Sequence, residues 1–175
     1  MKFKKSILLF AFTILLSSFY LLNAQNVKST NFNGWEFLTW HTSIEKVEAK
    51  LSKMKRLTVN YYKDNGYSTY FKYNDMFTYL FYDSLKQLSK VTQHLDFGVN
   101  KIKQADAFFL KTEKHLIDKF GLPSERFDDK ESEFILLVWK LKYTTINLSY
   151  NYKYKVIDEF GCCSYTVNIV YTPNI

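Results

Sequence analysis

The stretch YSTYFKYNDMFTYLFYDS, residues 67–84, decides how this chain folds. Tyr67, Thr69, Phe71 and Tyr73 alternate with Ser68, Tyr70 and Lys72. Successive side chains of an extended chain point to opposite faces, so this alternation predicts a strand with one buried face. Asn74-Asp75 signals a turn, Met76 to Tyr82 a further strand, and Asp83-Ser84 another corner. Upstream, Leu57 to Tyr62 reads as a strand joined to Tyr67 through Asp64-Asn65-Gly66, and downstream Gln87 to Leu95 supplies a fourth. Connections this short cannot carry a parallel crossover, so the strands form an antiparallel meander.

A helix precedes the meander. Thr42-Ser43-Ile44-Glu45 matches a capping box, in which a threonine oxygen and a glutamate satisfy the first free amides. Ile44, Val47, Leu51 and Met54 then recur at helical spacing, predicting a helix over about residues 43–55. The order repeats downstream. Ala105, Phe109, Thr112, Leu116 and Phe120 form a second stripe over about residues 103–120, and Gly121-Leu122-Pro123 stops it with glycine in the left-handed cap position. Phe134 to Leu141 is a nearly continuous apolar run, which predicts a central strand covered on both faces. Ile146, Leu148, Tyr150 and Tyr152 alternate with polar residues, as do Cys163, Tyr165, Val167, Ile169 and Tyr171. Between the second helix and the apolar run, Asp128, Asp129, Glu131 and Glu133 read as a solvated acidic loop. The expected fold class is α+β: two tandem helix-then-antiparallel-meander units, residues 35–98 and 99–175, with the helices packed on one face of the sheet.

This pattern resembles the tandem helix-plus-sheet repeat of the β-lactamase inhibitor protein family and the related small outer-membrane-assembly lipoprotein fold. The resemblance is carried by Trp40-His41-Thr42 with Val47 and Leu51 in the first unit and by Phe120-Gly121-Leu122-Pro123 in the second. It implies topology and no functional residues, since the second unit lacks the Trp-x-Thr start and the inhibitor's paired cysteines are absent.

Residues 1–24 read as a cleavable signal peptide. Lys2, Lys4 and Lys5 precede an apolar segment from Ile7 to Leu22, and Asn23-Ala24-Gln25 ends it with a small residue before a polar one. The segment falls short of the roughly 20 apolar residues that span a bilayer, and no cysteine stands at the junction to take a lipid. The expectation is export to the periplasm or beyond, soluble after cleavage, with no stable membrane anchor and an exposed lead-in over residues 25–34. An Ala24-Gln25 junction before a Lys-, Asn- and Tyr-rich body resembles exported proteins of Bacteroidetes-type bacteria. Cleavage removes three lysines and no acid, lowering the net charge from +7 to +4. That is a solubility charge, and it argues against nucleic acid as a partner. Roughly 150 remaining residues suit a single domain or two intimately packed repeats.

Aromatic residues make up 19% of the chain, and this excess is where function is sought. Tyr150, Tyr152 and Tyr154 share one face of a strand, where they either fill the core or form a binding surface; tyrosine gives large contact area at small entropy cost. Cys162 and Cys163 are redox or disulfide candidates, because an exported chain meets an oxidising compartment. Adjacent residues bridge only by distorting the peptide between them. Three readings stay open: a buried inert Cys163 with Cys162 near the turn at Gly161, a strained redox pair, or an intermolecular disulfide. His41, His94 and His115 have no paired metal-ligand spacing, and the five glycines form no phosphate-cradling loop. No catalytic residue, metal or cofactor is predicted. Asp83-Ser84-Leu85 also resembles the short sites of bacterial O-glycosylation. The function expected is that of a non-catalytic interaction or inhibitor-like module of the cell envelope. Its partner would be an envelope or secreted protein, bound through the tyrosine face. The alternatives are a carrier of a small apolar or sugar-like ligand in an aromatic-lined cavity and, behind it, a Cys/His-dependent enzyme.

Overall fold

The computed structural model describes residues 31–54, 59–62, 68–98, 100–152 and 164–174. The signal segment, the Asp64-Asn65-Gly66 turn, Tyr154, Cys162 and Cys163 lie outside the described residues. The elements run α1 (Ile44–Leu51), β1 (Val59–Tyr62), β2 (Ser68–Tyr73), β3 (Met76–Tyr82), β4 (Leu88–Gly98), α2 (Ile102–Phe120), β5 (Glu125–Asp129), β6 (Phe134–Lys140), β7 (Thr144–Asn151) and β8 (Ser164–Pro173). The fold is α+β. All eight strands join one sheet in the order β1-β2-β3-β4-β8-β7-β6-β5, with every neighbouring pair antiparallel.

The two-residue alternation sets the core. Thr69 and Phe71 of β2, Leu80 of β3, Val91 of β4, Leu148 of β7 and Val167 of β8 are all buried, and the register places them on one face. Against this face lies α2, whose stripe buries Ala105, Phe109, Leu116 and Phe120. Phe109 stacks 5.1 Å from Tyr150 of β7, and Phe108 lies 5.6 Å from Phe97 of β4. A stripe of this width excludes water from both surfaces at about 25 cal/mol per Å² of apolar area.

Several expectations needed correction. Ser43, not Thr42, occupies the N-cap position of α1 and makes no side-chain capping bond, while the Thr42 hydroxyl donates to the Thr39 carbonyl at 2.8 Å inside the preceding turn. Gly121 ends α2 with φ 87° but ψ −169°, so the chain leaves extended rather than through a left-handed helical cap. The acidic loop is partly a strand: β5 takes Asp128 and Asp129 and pairs with β6. Strand β6 is next to the edge, and the central pair is β4 and β8.

At the end of the lead-in Asn31 and Asn33 are exposed, but Phe32 and Gly34 are tied down. Phe32 packs edge-on against Phe120 at 5.0 Å, and Gly34 is buried. The hydroxyl of fully buried Thr144 accepts from Trp40 Nε1 at 2.9 Å and from the Gly34 amide at 3.3 Å, and donates to the Phe32 carbonyl at 2.9 Å. Gly34 has φ 135°, and a Cβ there would sit 1.8 Å from the Leu38 carbonyl oxygen. Only glycine fits this crossing.

Candidate functional site

The tyrosine face expected on β7 divides on inspection. Tyr150 is 2% exposed, under α2, and its hydroxyl donates to Asp106 Oδ1 at 2.6 Å. Burial and the Asp106 bond together push its ionisation well above the ordinary tyrosine range. It is a core residue, so the expected binding face of Tyr150, Tyr152 and Tyr154 loses Tyr150, while Tyr154 lies outside the described residues. Tyr152 is half-buried 5.7 Å from Tyr150.

The opposite face of β2, β3 and β4 carries an aromatic row that alternation alone did not single out. Tyr79 stacks on His94 at 5.5 Å, 9° from parallel, and lies 4.8 Å from Tyr70, which stacks on Phe77 at 5.7 Å. Lys90 Nζ sits 4.6 Å over the ring of Phe81. Burial, then Tyr70 and Asp96, pushes the Tyr79 hydroxyl up. The rings of Tyr79 and His94, and of Tyr70 and Phe77, stack on one another, so these faces are not a free platform for a sugar.

On the α2 side, the sheet and two turns leave a cleft of 380 Å³. Met76, Gln93, Ile169 and Tyr171 come from the sheet; Phe108, Lys111, Thr112, His115 and Leu116 come from α2. Tyr73 at the end of β2 and Glu36, Asn74 and Asp75 from the turns complete it. Gln93 is held in place, accepting from Trp35 Nε1 at 3.3 Å and donating to Thr78 Oγ1 at 3.1 Å. The Trp35–Leu38 turn is closed by two mutual backbone bonds of 2.8 Å and places Glu36 at φ 51°, a region that penalises side chains other than glycine. Asn74 and Asp75, at φ 48° and 67°, form the two-residue β2–β3 turn, where both central residues take positive φ.

Glu36 governs the electrostatics. Burial pushes both the Tyr73 and Tyr171 hydroxyls up, and the Glu36 carboxylate adds to it in each case. Glu36 is also 3.6 Å from Lys119 Nζ.

The three histidines do not converge. His115 lines the cleft, His94 stands on the opposite face 3.5 Å from Asp96, and His41 is exposed with its amide bonded to the Leu88 carbonyl at 3.0 Å. Among the described residues no three His, Cys, Asp or Glu side chains gather as a metal site, and no helix is long and apolar enough to cross a membrane. Sequence reasoning missed the cleft because its walls come from residues 36, 73–76, 93, 108–116 and 169–171. The one visible signal was Lys111 and His115, four apart on a helix and beside its apolar stripe. No protein-family model, curated protein or solved structure matches this chain.

Proposed function

We propose that this is an exported, non-catalytic binding protein that holds a small ligand in the cleft beside α2. The observation that carries this reading is the cleft itself: 380 Å³ falls within the roughly 300–1,000 Å³ of ligand sites, with apolar Met76, Phe108, Leu116 and Ile169 beside a few oriented polar groups. The lining supports holding over turnover: the Thr112 hydroxyl is committed to the Phe108 carbonyl at 2.8 Å, and burial holds the Tyr73 and Tyr171 hydroxyls protonated, so none of these three is an activated nucleophile. The strand order supports a tandem of two helix-then-meander units, since β1 to β4 and β5 to β8 run inward from opposite edges to meet at β4 and β8.

A second reading, an interaction module for another exported protein, keeps its support from the aromatic row of Tyr70, Phe77 and Tyr79. One experiment separates the two. Thr112→Trp fills the cleft and Tyr79→Ala breaks the row; each purified variant is compared with wild type in a small-molecule thermal-shift screen and in pull-down from envelope extract. The cleft reading expects ligand shifts lost only in Thr112→Trp. Loss of a captured protein only in Tyr79→Ala, with no ligand shift in any form, overturns it.

A further inference from the structure

Resting on the cleft reading above, we propose that the ligand is a zwitterion with an apolar body, of the chemistry of a short apolar peptide, its carboxylate held by Lys111 and its ammonium by Glu36 and Asp75. The argument is one of charge placement. The positive group comes from α2: Lys111, with His115 one turn further on, and among the described residues neither makes an ion pair. The negative groups come from the turns at residues 35–38 and 73–76. The apolar part of the same lining is Met76, Phe108, Leu116 and Ile169, which suits aliphatic side chains and offers little to a polyol.

Asp75 is not used up internally, and Glu36 has one ion-pair partner among the described residues, Lys119, at 3.6 Å. Asp75 pairs with Lys72 only at 4.0 Å, with side chains 88% and 61% exposed, a pair of negligible strength. Lys119, the partner of Glu36, is also drawn to the rings of Phe32 and Phe120, each 5.2 Å away. Glu36 meanwhile acts on the Tyr73 and Tyr171 hydroxyls, which places its charge at the cleft. A simple amine would leave Lys111 opposed to it, and a simple carboxylate would meet Glu36 and Asp75. A ligand carrying both charges at separate ends satisfies all three residues.

The test is isothermal titration of the chain lacking residues 1–24 with the dipeptide Leu-Leu, its N-acetyl form, its C-terminal amide, and the doubly blocked N-acetyl amide. Leu-Leu should bind about tenfold tighter than either singly blocked form, the worth of one charge-assisted contact at a partly exposed site. Lys111→Gln should erase the preference over the amide and keep that over the N-acetyl form; Glu36→Gln should do the reverse. If the doubly blocked peptide binds as well as Leu-Leu and Thr112→Trp abolishes both, the zwitterion inference is wrong and the cleft stands. If no form binds, both fail.

Discussion

Thr144 shows how much can depend on a single hydroxyl. Its oxygen serves the Trp40 indole, the Gly34 amide and the Phe32 carbonyl at once, and it is fully buried, so no water can take its place. Thr144→Val keeps the shape and removes every one of these bonds, leaving two donors and one acceptor unpaired in the interior. The expected loss is about 3 kcal/mol, at about 1–3 kcal/mol for each buried polar group left without a partner. Urea unfolding should show it as a lower midpoint at unchanged slope. A variant within 0.5 kcal/mol of wild type would mean that the 32–40 segment is held by Trp35 and Trp40 packing alone, a limit set by the roughly ±0.5 kcal/mol of ordinary surface changes. Nothing in the spacing of residues 32, 34, 40 and 144 announces this node, because hydrogen bonds across more than a hundred residues leave no periodic trace.

Among the elements, α2 depends on Tyr150. The ring stacks on Phe109 and the hydroxyl donates to Asp106, so one side chain grips two neighbouring positions on one face of the helix's first half. Tyr150→Phe retains the stack and leaves the half-buried Asp106 carboxylate without its donor. The expected cost is about 1.5–3 kcal/mol, the range for hydrogen bonds to charged groups. Amide exchange should quicken most over residues 103–109; uniform quickening across α2 would instead mean that the whole helix detaches as one unit. Element bounds were legible where one face is buried: β3 begins and ends at Met76 and Tyr82 as the alternation implies, because Met76, Thr78, Leu80 and Tyr82 all face the core. They were illegible at the edge. In β5 every residue from Arg126 to Asp129 is exposed, and its charges are those that keep an edge strand from pairing with other chains, so it looks like a loop. The apolar run of β6 misled in the other direction, since Leu137, Val138 and Trp139 are buried in succession on a strand with only one neighbour between it and solvent. Trp139 explains part of this, because its indole donates to the Gly121 carbonyl at 2.8 Å and the chain after α2 covers it. Alternation tells which residues share a face; which face a helix covers is decided by contacts such as Phe109 to Tyr150, and that is why the spacing left Tyr150 open between core and binding surface.

For the molecule as a whole, these buried tyrosines predict how stability depends on alkali. Tyr171 is 5% exposed and Tyr150 2%, and burial raises the ionisation of both above their range in an unfolded chain, about 10. The native state therefore keeps two protons that the unfolded chain releases once the pH passes about 10. More protons are bound in the native state, so stability falls as pH rises there, by up to about 1.4 kcal/mol per pH unit for each tyrosine, and is unaffected by these groups below that point. Lysines titrate in the same window, which makes the informative quantity a difference between proteins. Urea midpoints of wild type and Tyr171→Phe, taken from pH 7 to 11, should separate at neutral pH by packing alone and then converge as wild type loses stability faster. Tyr150→Phe should converge in the same way, with tyrosinate absorbance showing one fewer late-titrating group in each variant. Parallel curves for wild type and Tyr171→Phe would place the Tyr171 hydroxyl in contact with solvent through the cleft. The same measurement with a ligand bound would then report on closure of that opening, because Tyr171 lines the cleft and a molecule seated there would take its hydroxyl out of water, disfavouring the charged form.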